Sequence, residues 1–478
     1  MINKKSIGLV VSISFLLFTI VSNPPSALSK EAFKTIGCSV FIAIWWMTEM
    51  IPIPITSLLP MVFFPLLEIA SIKEVTAPYS NSLVFLFLGG FMIAMSMEKW
   101  NLHKRIALHI ILIVGTKLNR IVLGFMVATM FLSMWVNNTS TAMMMVAIAI
   151  PVISLIKENS EEEEKESIQN FSICTMLSVG YGASIGGVGT LIGTTPNAFM
   201  VGFLLQTYKI EMSFLKWMLI GVPFVFVSIP VVYLLLTRFL FPIHLSKSKD
   251  SKDLVLLELK KLGPMSPQEK IVGIVFLLVA LTWMTQPILS KLPHLSYLSD
   301  TTIVMIGVFV LFFIKVNKEP ILDWESVKGL PWDALLLFGG GLSLASMIEK
   351  TKVAEWVGNA TTVFQPLPFI VIIFVCVSLI LFLTELTSNL ATTAAFLPIF
   401  ASIAVNMGKS PLFLVVPTTI AASCAFMLPV GTPPNAIVYG TRMVHLSQMM
   451  KAGIWLNIIF IFIISFLVSF LGSTVLEF

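Results

Sequence analysis

Residues 187–202 read GVGTLIGTTPNAFMVG and residues 428–440 read LPVGTPPNAIVYG, two glycine- and proline-bearing stretches sunk in apolar sequence. A helix crossing a bilayer satisfies its own backbone groups, so irregular backbone at that depth survives only where protein or a water-lined cavity supplies partners. Pro196, Pro433 and Pro434 interrupt the helical hydrogen-bond ladder, and Gly193 and Gly431 admit dihedrals that other residues resist. Each stretch therefore predicts a helix split into two halves around an unwound centre. Thr194, Thr195 and Asn197 in the first, and Thr432 and Asn435 in the second, add neutral oxygens and amides. The N-terminus of a half-helix presents free N–H groups to an anion, and the carbonyls ending the preceding half suit a small cation.

The surrounding composition makes the membrane reading firm. The chain has 478 residues, 57% of them hydrophobic and 12% charged, with a mean hydropathy of +0.95. Soluble domains carry about 25% charged residues. The apolar residues are gathered into many runs of roughly the 20 residues that span a bilayer, which predicts an all-α polytopic membrane protein. The net charge of +5 is spread over short loops and implies no nucleic-acid partner; its sidedness matters more, because Lys and Arg in short loops mark the cytoplasmic side. Lys4 and Lys5 put the N-terminus there, ahead of an uncleaved first span. Ala27 to Ser29 otherwise pass for a leader cleavage site. Cys38, Cys174, Cys376 and Cys424 lie in apolar segments without paired spacing and read as buried thiols.

Along the chain, "HLSKSKDSKDLVLLELKKLGPMSPQEK" (244–270) divides the sequence near its middle. Its Lys247, Lys249, Lys252, Lys260 and Lys261 predict a cytoplasmic linker, and "DLVLLELKKL" within it predicts an amphipathic helix on the membrane surface. The acidic run Glu161–Glu164 reads as a solvated turn. On either side of the divider the sequence repeats itself. "VFLFLGGFMIAMSMEKW" (84–100) resembles "LLLFGGGLSLASMIEK" (335–350), and "FLSMWVNNTSTA" (131–142) aligns without a gap on "FLTELTSNLATT" (382–393). Asn138 then matches Asn389, and Asn197 matches Asn435. Three blocks in one order indicate an internal duplication. With the N-terminus inside, the segment 120–157 begins and ends at the cytoplasmic side and 366–407 begins and ends outside, so the repeats are inverted. Each of these two segments carries polar residues at its centre and predicts a re-entrant helical hairpin.

The hairpin centres, Asn137-Asn138-Thr139 and Ser388-Asn389-Leu390, meet the two unwound stretches from a second direction and predict one site near the midplane. Neither tip nor either break carries a Lys or Arg. An anion desolvated there needs positive charge, and co-bound cations held by hard oxygens supply it. The pattern thus favours cation-coupled anion transport.

In these residues the chain resembles the divalent anion/sodium symporter family, over nearly its whole length. The family carries a Ser-Asn-Thr triplet at each hairpin tip and Pro-Asn breaks in its fifth and tenth helices; here "GTTPN" and "GTPPN" match the breaks. The resemblance implies about eleven spans plus the two hairpins in inverted repeats, dimerisation through a scaffold domain, and an elevator-like transport domain. It implies one sodium site from Ser133, Asn137, Asn138 and the backbone near Gly193, and another from Thr384, Thr387, Asn389 and the backbone near Gly431. Substrate carboxylates would be met by Asn138, Thr139, Ser388, Asn389, Thr432 and Pro433. Two positions depart from the pattern: Asn137 stands for a Ser, and Leu390 for a Thr, which removes a hydroxyl and tunes substrate choice.

These readings divide the chain into scaffold helices (1–115), a first hairpin with its broken helix and following span (116–243), the linker (244–270), scaffold helices of the second repeat (271–350), and a second hairpin, broken helix and last span (351–478). Glu385 reads as a carboxylate tying the second hairpin to neighbouring backbone amides, and Glu49 as structural near an interface. Trp45, Trp46 and Trp100 read as membrane-belt residues. With no nucleophile–base pair and no ligand cluster, the chain is not expected to be an enzyme. The expectation is a sodium symporter importing succinate, malate or fumarate through a bacterial cytoplasmic membrane, as a homodimer among lipids. A sodium-independent dicarboxylate exchanger, or a carrier of another divalent anion such as sulfate or citrate, is the alternative.

Overall fold

The computed structural model describes residues 4–25, 28–115, 117–158, 164–244, 251–360 and 367–475. The acidic run up to Glu163, Lys247 and Lys249 of the divider, and Ala27 lie outside the described residues. The described chain is mostly helical, with one two-residue antiparallel ladder, Lys315–Val316 with Glu319–Pro320. Six of its helices are long and apolar enough to cross a membrane by length and composition, from Ile72–Lys99 to Leu446–Gly472, and shorter apolar helices lie between them.

The predicted interruptions appear as helix boundaries. The apolar stretch 120–157 folds as Leu118–Ser133 and Asn138–Glu158, and 366–407 as Phe369–Thr384 and Asn389–Asn406. The first unwound stretch separates Lys165–Gly187 from Thr195–Tyr208, and the second separates Leu412–Ala422 from Pro433–Gly440. Thr194 and Thr432 precede the second halves with nearly the same extended dihedrals, φ −142° and −153°. Pro196, Pro433 and Pro434 fall in the first turn, where a missing N–H costs nothing.

Aromatic side chains and aliphatics join these helices in one continuous core, and all four cysteines are buried and free. Trp46 departs from its expected place: it is fully buried, and its Nε1 donates to Ser57 Oγ at 3.1 Å. An indole that finds a partner inside needs no interfacial water. Trp45 and Trp100, half-buried, donate to Ser12 Oγ (3.0 Å) and Ile321 O (2.8 Å).

The divider helix, Ser251–Lys261, forms within the expected linker. Val255 is fully buried where this helix meets the helices Leu102–Val114 and Asn138–Glu158, while Leu257 stays half exposed. A charged node holds the helix there. Lys104 Nζ donates to Glu258 at 3.2 Å. Arg105 Nε and Nη2 donate to the two oxygens of Glu269 at 2.8 and 3.2 Å, and its Nη1 donates to Gly263 O at 3.0 Å. Arg105 and Glu269 are both buried; a forked guanidinium–carboxylate pair of this geometry fixes orientation as well as charge.

Elsewhere Phe214, opening the helix Phe214–Leu234, stacks on Trp283 with ring centroids 4.3 Å apart. Its amide donates to Asp300 Oδ2 at 3.0 Å, and Trp283 Nε1 donates to Asp300 O at 2.9 Å. Trp135, in the turn of the first hairpin, lies against both Phe214 and Phe276.

Candidate functional site

The two hairpin turns and the two unwound stretches converge on a cavity of about 900 Å3. Asn137, Asn138, Thr139, Gly193, Thr194 and Thr195 line it from the first half. Thr387, Ser388, Asn389, Leu390, Gly431, Thr432, Pro433 and Pro434 line it from the second. Lys5, Glu49 and Asp333 are the charged residues in its lining, and none belongs to a tip or a break. Glu49, expected to be structural, ends the helix Lys30–Thr48 in a left-handed conformation (φ 47°) and borders this space.

Behind the first tip, Ser133 closes the helix Leu118–Ser133. Its hydroxyl donates to Ala183 O at 2.7 Å and lies 2.6 Å from the amide oxygen of Asn138. With that amide turned over, Nδ2 donates to Ser133 Oγ at 2.6 Å, Gly193 O at 3.1 Å and Ala183 O at 3.2 Å. In either orientation, oxygens from the hairpin, the preceding helix and the unwound stretch meet at one amide. Glycine is needed for so close an approach. A Cβ on Gly187 would lie 2.5 Å from Asn138 Oδ1, and one on Gly193 would lie 2.5 Å from Gly187 O and 2.9 Å from Ser133 O.

The second tip has the same arrangement. Thr384 Oγ1 donates to Ala422 O and Asn389 Oδ1, both at 2.8 Å, and Gly431 lies against Glu385 and Ala425. Ser133 and Thr384 are equivalent in the sequence alignment, as are Asn138 and Asn389. Clusters of neutral carbonyl and hydroxyl oxygens of this kind suit a small hard cation.

Other predicted residues take different parts. Asn137 Oδ1 accepts from Thr139 N–H at 2.8 Å, which caps the helix Asn138–Glu158 and commits that oxygen to the backbone. Thr387 Oγ1 bonds within its hairpin, to Leu383 O at 2.9 Å and Thr392 Oγ1 at 2.6 Å. Pro196, Asn197 and Asn435 are buried and do not line the cavity. Asn197 Nδ2 donates to Thr190 O (2.7 Å), Gly187 O (3.2 Å) and Val188 O (3.3 Å); Asn435 Nδ2 donates to Ala425 O (3.0 Å) and Leu428 O (3.2 Å). Both amides satisfy carbonyls left over by the break, and they brace the unwound loops from behind.

Glu385 does what its position led us to expect. Its Oε1 accepts from Phe426 N at 2.7 Å, Met427 N at 3.0 Å and Asn457 Nδ2 at 2.9 Å; its Oε2 accepts from Met427 N at 2.9 Å and Leu428 N at 3.1 Å. One buried carboxylate thereby fastens the second hairpin to the unwound stretch and to the last helix. Sequence reasoning missed Asn457, although a lone Asn in a long apolar helix was a signal. It also missed Thr190, whose hydroxyl donates to Met134 O and accepts from Gly193 N–H, and the carbonyls of Ala183 and Ala422, for which no side-chain signal exists.

Comparison with known proteins identifies the family. The profile of the sodium:sulfate symporter transmembrane region matches residues 3–476. The chain is 42% identical over 478 residues to the sodium-dependent dicarboxylate transporter SdcS of Staphylococcus saprophyticus, covering 98% of this chain and 92% of the relative. It is 41% identical over 476 residues to SdcS of Staphylococcus aureus strain bovine RF122, with the same coverage. Among solved structures, Neisseria gonorrhoeae MtrF superposes with a TM-score of 0.60 at 12% identity, covering 98% of this chain and 94% of that one. The Alcanivorax borkumensis YdaH transporter gives 0.58 at 12% identity, covering 84% and 87%. Both structural likenesses concern the fold alone.

Proposed function

The chain belongs to the sodium:sulfate symporter family, the divalent anion/sodium symporters whose motifs it carries, and on that premise we propose that it imports small C4 dicarboxylates such as succinate, malate or fumarate together with sodium ions. It is a multi-pass membrane protein, and its relatives are named as sodium-dependent dicarboxylate transporters. The observation that carries the reading is the pair of matching oxygen clusters, Ser133–Asn138–Ala183 and Thr384–Asn389–Ala422, behind one cavity whose tips and breaks hold no cationic side chain. Sodium ions in the clusters would supply the positive charge that a dicarboxylate needs there, which makes binding of the two interdependent.

The substrate's carboxylates would then be met by Asn138, Thr139, Ser388, Asn389, Thr432 and Pro433, with Thr194 and Thr195 alongside. Sodium would be held by Ser133, Asn138, Thr384, Asn389 and the backbone around Gly193 and Gly431. Asn137 and Thr387 would shape the tips, given the hydrogen bonds that already engage them. We read the architecture as about eleven spans with two re-entrant hairpins in inverted repeats. Residues 116–243 and 351–478 would move as a transport domain against scaffold helices 1–115 and 271–350 of a homodimer.

Sidedness supports a cytoplasmic N-terminus in a bacterial inner membrane. Lys99, Lys104, Arg105, Arg120, Lys260, Lys261, Lys315 and Lys318, at helix ends, in the linker helix and in connecting segments, would share a face with Lys4 and Lys5, as the positive-inside pattern requires. The cavity borders Lys5 and the end of the helix Lys30–Thr48, so it would open toward the cytoplasm.

The deciding experiment is uptake of radiolabelled succinate into sealed liposomes holding the purified protein. Empty and succinate-loaded vesicles are compared, with an inward sodium gradient or with choline in its place. Sodium-dependent uptake into empty vesicles is expected. Uptake confined to preloaded vesicles and indifferent to sodium would make the protein an exchanger and overturn the charge argument.

A further inference from the structure

The charges of the cavity stand at its rim. Lys5, Glu49 and Asp333 line it and are exposed, whereas Asn138 and Asn389 at the tips are half-buried. Among the described residues, Lys5 is the one cationic side chain in the lining. Packing fixes its place. The helix Lys4–Val21 lies on the helix Lys30–Thr48 with glycines at the contact. A Cβ on Gly8 would lie 2.9 Å from Thr48 Cγ2 and 3.5 Å from Ile44 Cγ2, and one on Gly37 would overlap the side chain of Thr19. Trp45 Nε1 donates to Ser12 Oγ at 3.0 Å between the same two helices. Gly8 comes about one helical turn after Lys5, so the lysine stem starts from backbone held beside Thr48 and Glu49, which line the cavity with it.

Lys5 lies in the first turn of its helix, where the aligned peptide dipoles are already positive. Two positive sources therefore meet at one point of the rim, and Glu49 and Asp333 give other parts of it the opposite sign. On the sodium-coupled dicarboxylate reading above, the charge that holds the anion at the tips departs with the sodium ions. A dianion left among neutral oxygens is strongly disfavoured there. Glu49 and Asp333 repel it on its way out, and Lys5 attracts it. We propose, on that reading, that Lys5 forms a second, outer contact for the substrate carboxylate at the mouth of the cavity, met by the dianion on its passage between the tips and the cytoplasm. The lysine stem is long and flexible, which lets the ammonium follow a carboxylate over part of that path. Because the first helix belongs to the scaffold in the same reading, the contact serves one face of the membrane alone. A charge at the rim of a cleft acts mainly on encounter and is screened by salt.

The test compares succinate uptake by right-side-out and by everted membrane vesicles from cells producing the full-length protein, each with an inward sodium gradient. Sodium-dependent uptake by the wild type in right-side-out vesicles is measured first; its absence overturns the dicarboxylate reading, and the outer contact with it. With uptake present, Lys5→Gln should raise the KM for succinate in everted vesicles about three- to ten-fold, and leave the right-side-out value within about two-fold. Lys5→Arg keeps the charge and should match the wild type at both faces. Asp333→Asn removes a repulsion and should lower the everted KM. Choline chloride at about 1 M, where the screening length is about 3 Å, should bring the wild type and Lys5→Gln together. An everted KM that Lys5→Gln leaves unchanged overturns the proposal. So does an equal rise at both faces, which a general defect in the fold would give, and so does a Lys5→Arg protein as impaired as Lys5→Gln.

Discussion

Replacing Glu385 with Gln probes how the second tip is held. The carboxylate accepts from four donors: three successive backbone amides, Phe426 to Leu428, and the side chain of Asn457. Glutamine keeps one oxygen and turns an amide nitrogen toward the donors that Oε2 now serves. If the oxygen stays in the Oε1 position, Leu428 N–H loses its partner, Met427 N–H keeps only the 3.0 Å contact, and the remaining bonds lose their charge assistance. A hydrogen bond to a charged group contributes about 1.5–3 kcal/mol, and an orphaned buried donor costs about 1–3 kcal/mol. The variant should therefore be destabilised by about 3–5 kcal/mol. The unfolding entropy scales with chain length, about 2.1 cal/mol/K per residue, so for a chain of this size the shift is on the order of 1 °C per kcal/mol. A fall of several degrees in thermal unfolding midpoint in detergent is expected, with a weaker apparent affinity for sodium in uptake, because the loop ending at Gly431 and Thr432 is no longer fixed against Asn389. A midpoint within a degree of wild type and unchanged sodium dependence would refute the argument.

Other perturbations test separate parts of the same account. Asn138→Ala and Asn389→Ala should each abolish most succinate uptake in folded protein, since each amide lies beside an oxygen cluster and the cavity; normal transport by both would remove the paired site. Asn435→Ala should lower the unfolding midpoint by leaving the buried Ala425 carbonyl unpaired, since Leu428 O keeps the Gly431 amide, a cost of about 1–3 kcal/mol, and Asn197→Ala, which leaves the Gly187 and Thr190 carbonyls while Val188 O keeps Trp217 Nε1, should lower it further. Arg105→Ala should destabilise by about 3–5 kcal/mol, because it leaves Glu269 charged and buried. The double variant Arg105→Met, Glu269→Met should recover most of that loss, and thermal unfolding of the set distinguishes the two cases. Lys99 holds the Asp323 carboxyl down, from its ordinary 3.8 to about 2, with help from the backbone and hydroxyl of Ser326. A depressed carboxylate stabilises above its unfolded value and loses that contribution as pH falls. The difference in midpoint between wild type and Lys99→Ala should thus be constant above about pH 5 and shrink as the pH drops from 3.8 toward 2.

Much of this fold was legible because its signals are repeated. Each half carries a glycine-rich helix, an Asn-bearing turn and a Pro-Asn break, and any one of them alone is weak. The alignment of Asn138 with Asn389 reappeared as matching hydrogen bonds from Ser133 and Thr384. Glu385 was legible too, since a carboxylate beside an unwound segment has backbone amides to satisfy. What the sequence left unseparated was the parts played by residues of one chemical type. Asn137, Asn138, Asn197 and Asn435 all look like ligands in a sequence. Only the fold separates a helix cap and two loop braces from an amide at an oxygen cluster, because the difference lies in which carbonyls come within 3 Å. Trp46 was misplaced for a similar reason. An indole needs one hydrogen-bond partner, and Ser57, eleven positions on, supplied it inside the protein. The carbonyls of Ala183 and Ala422 had no sequence signature at all, since every residue owns one.

The patch formed by Phe214, Trp283, Asp300 and Trp135 bears on speed. It joins the turn of the first hairpin and the helix that returns from the first break to two helices of the second half. In the movement proposed above, of residues 116–243 against 271–350, these groups would part and meet again in every cycle. Stacked aromatic pairs hold by about 0.5–1.5 kcal/mol beyond their burial, and the Phe214 amide must leave its carboxylate as well. Under that proposed movement these contacts would set a lower bound on the time each solute spends in transit, and turnover should quicken steeply with warming as that bound relaxes.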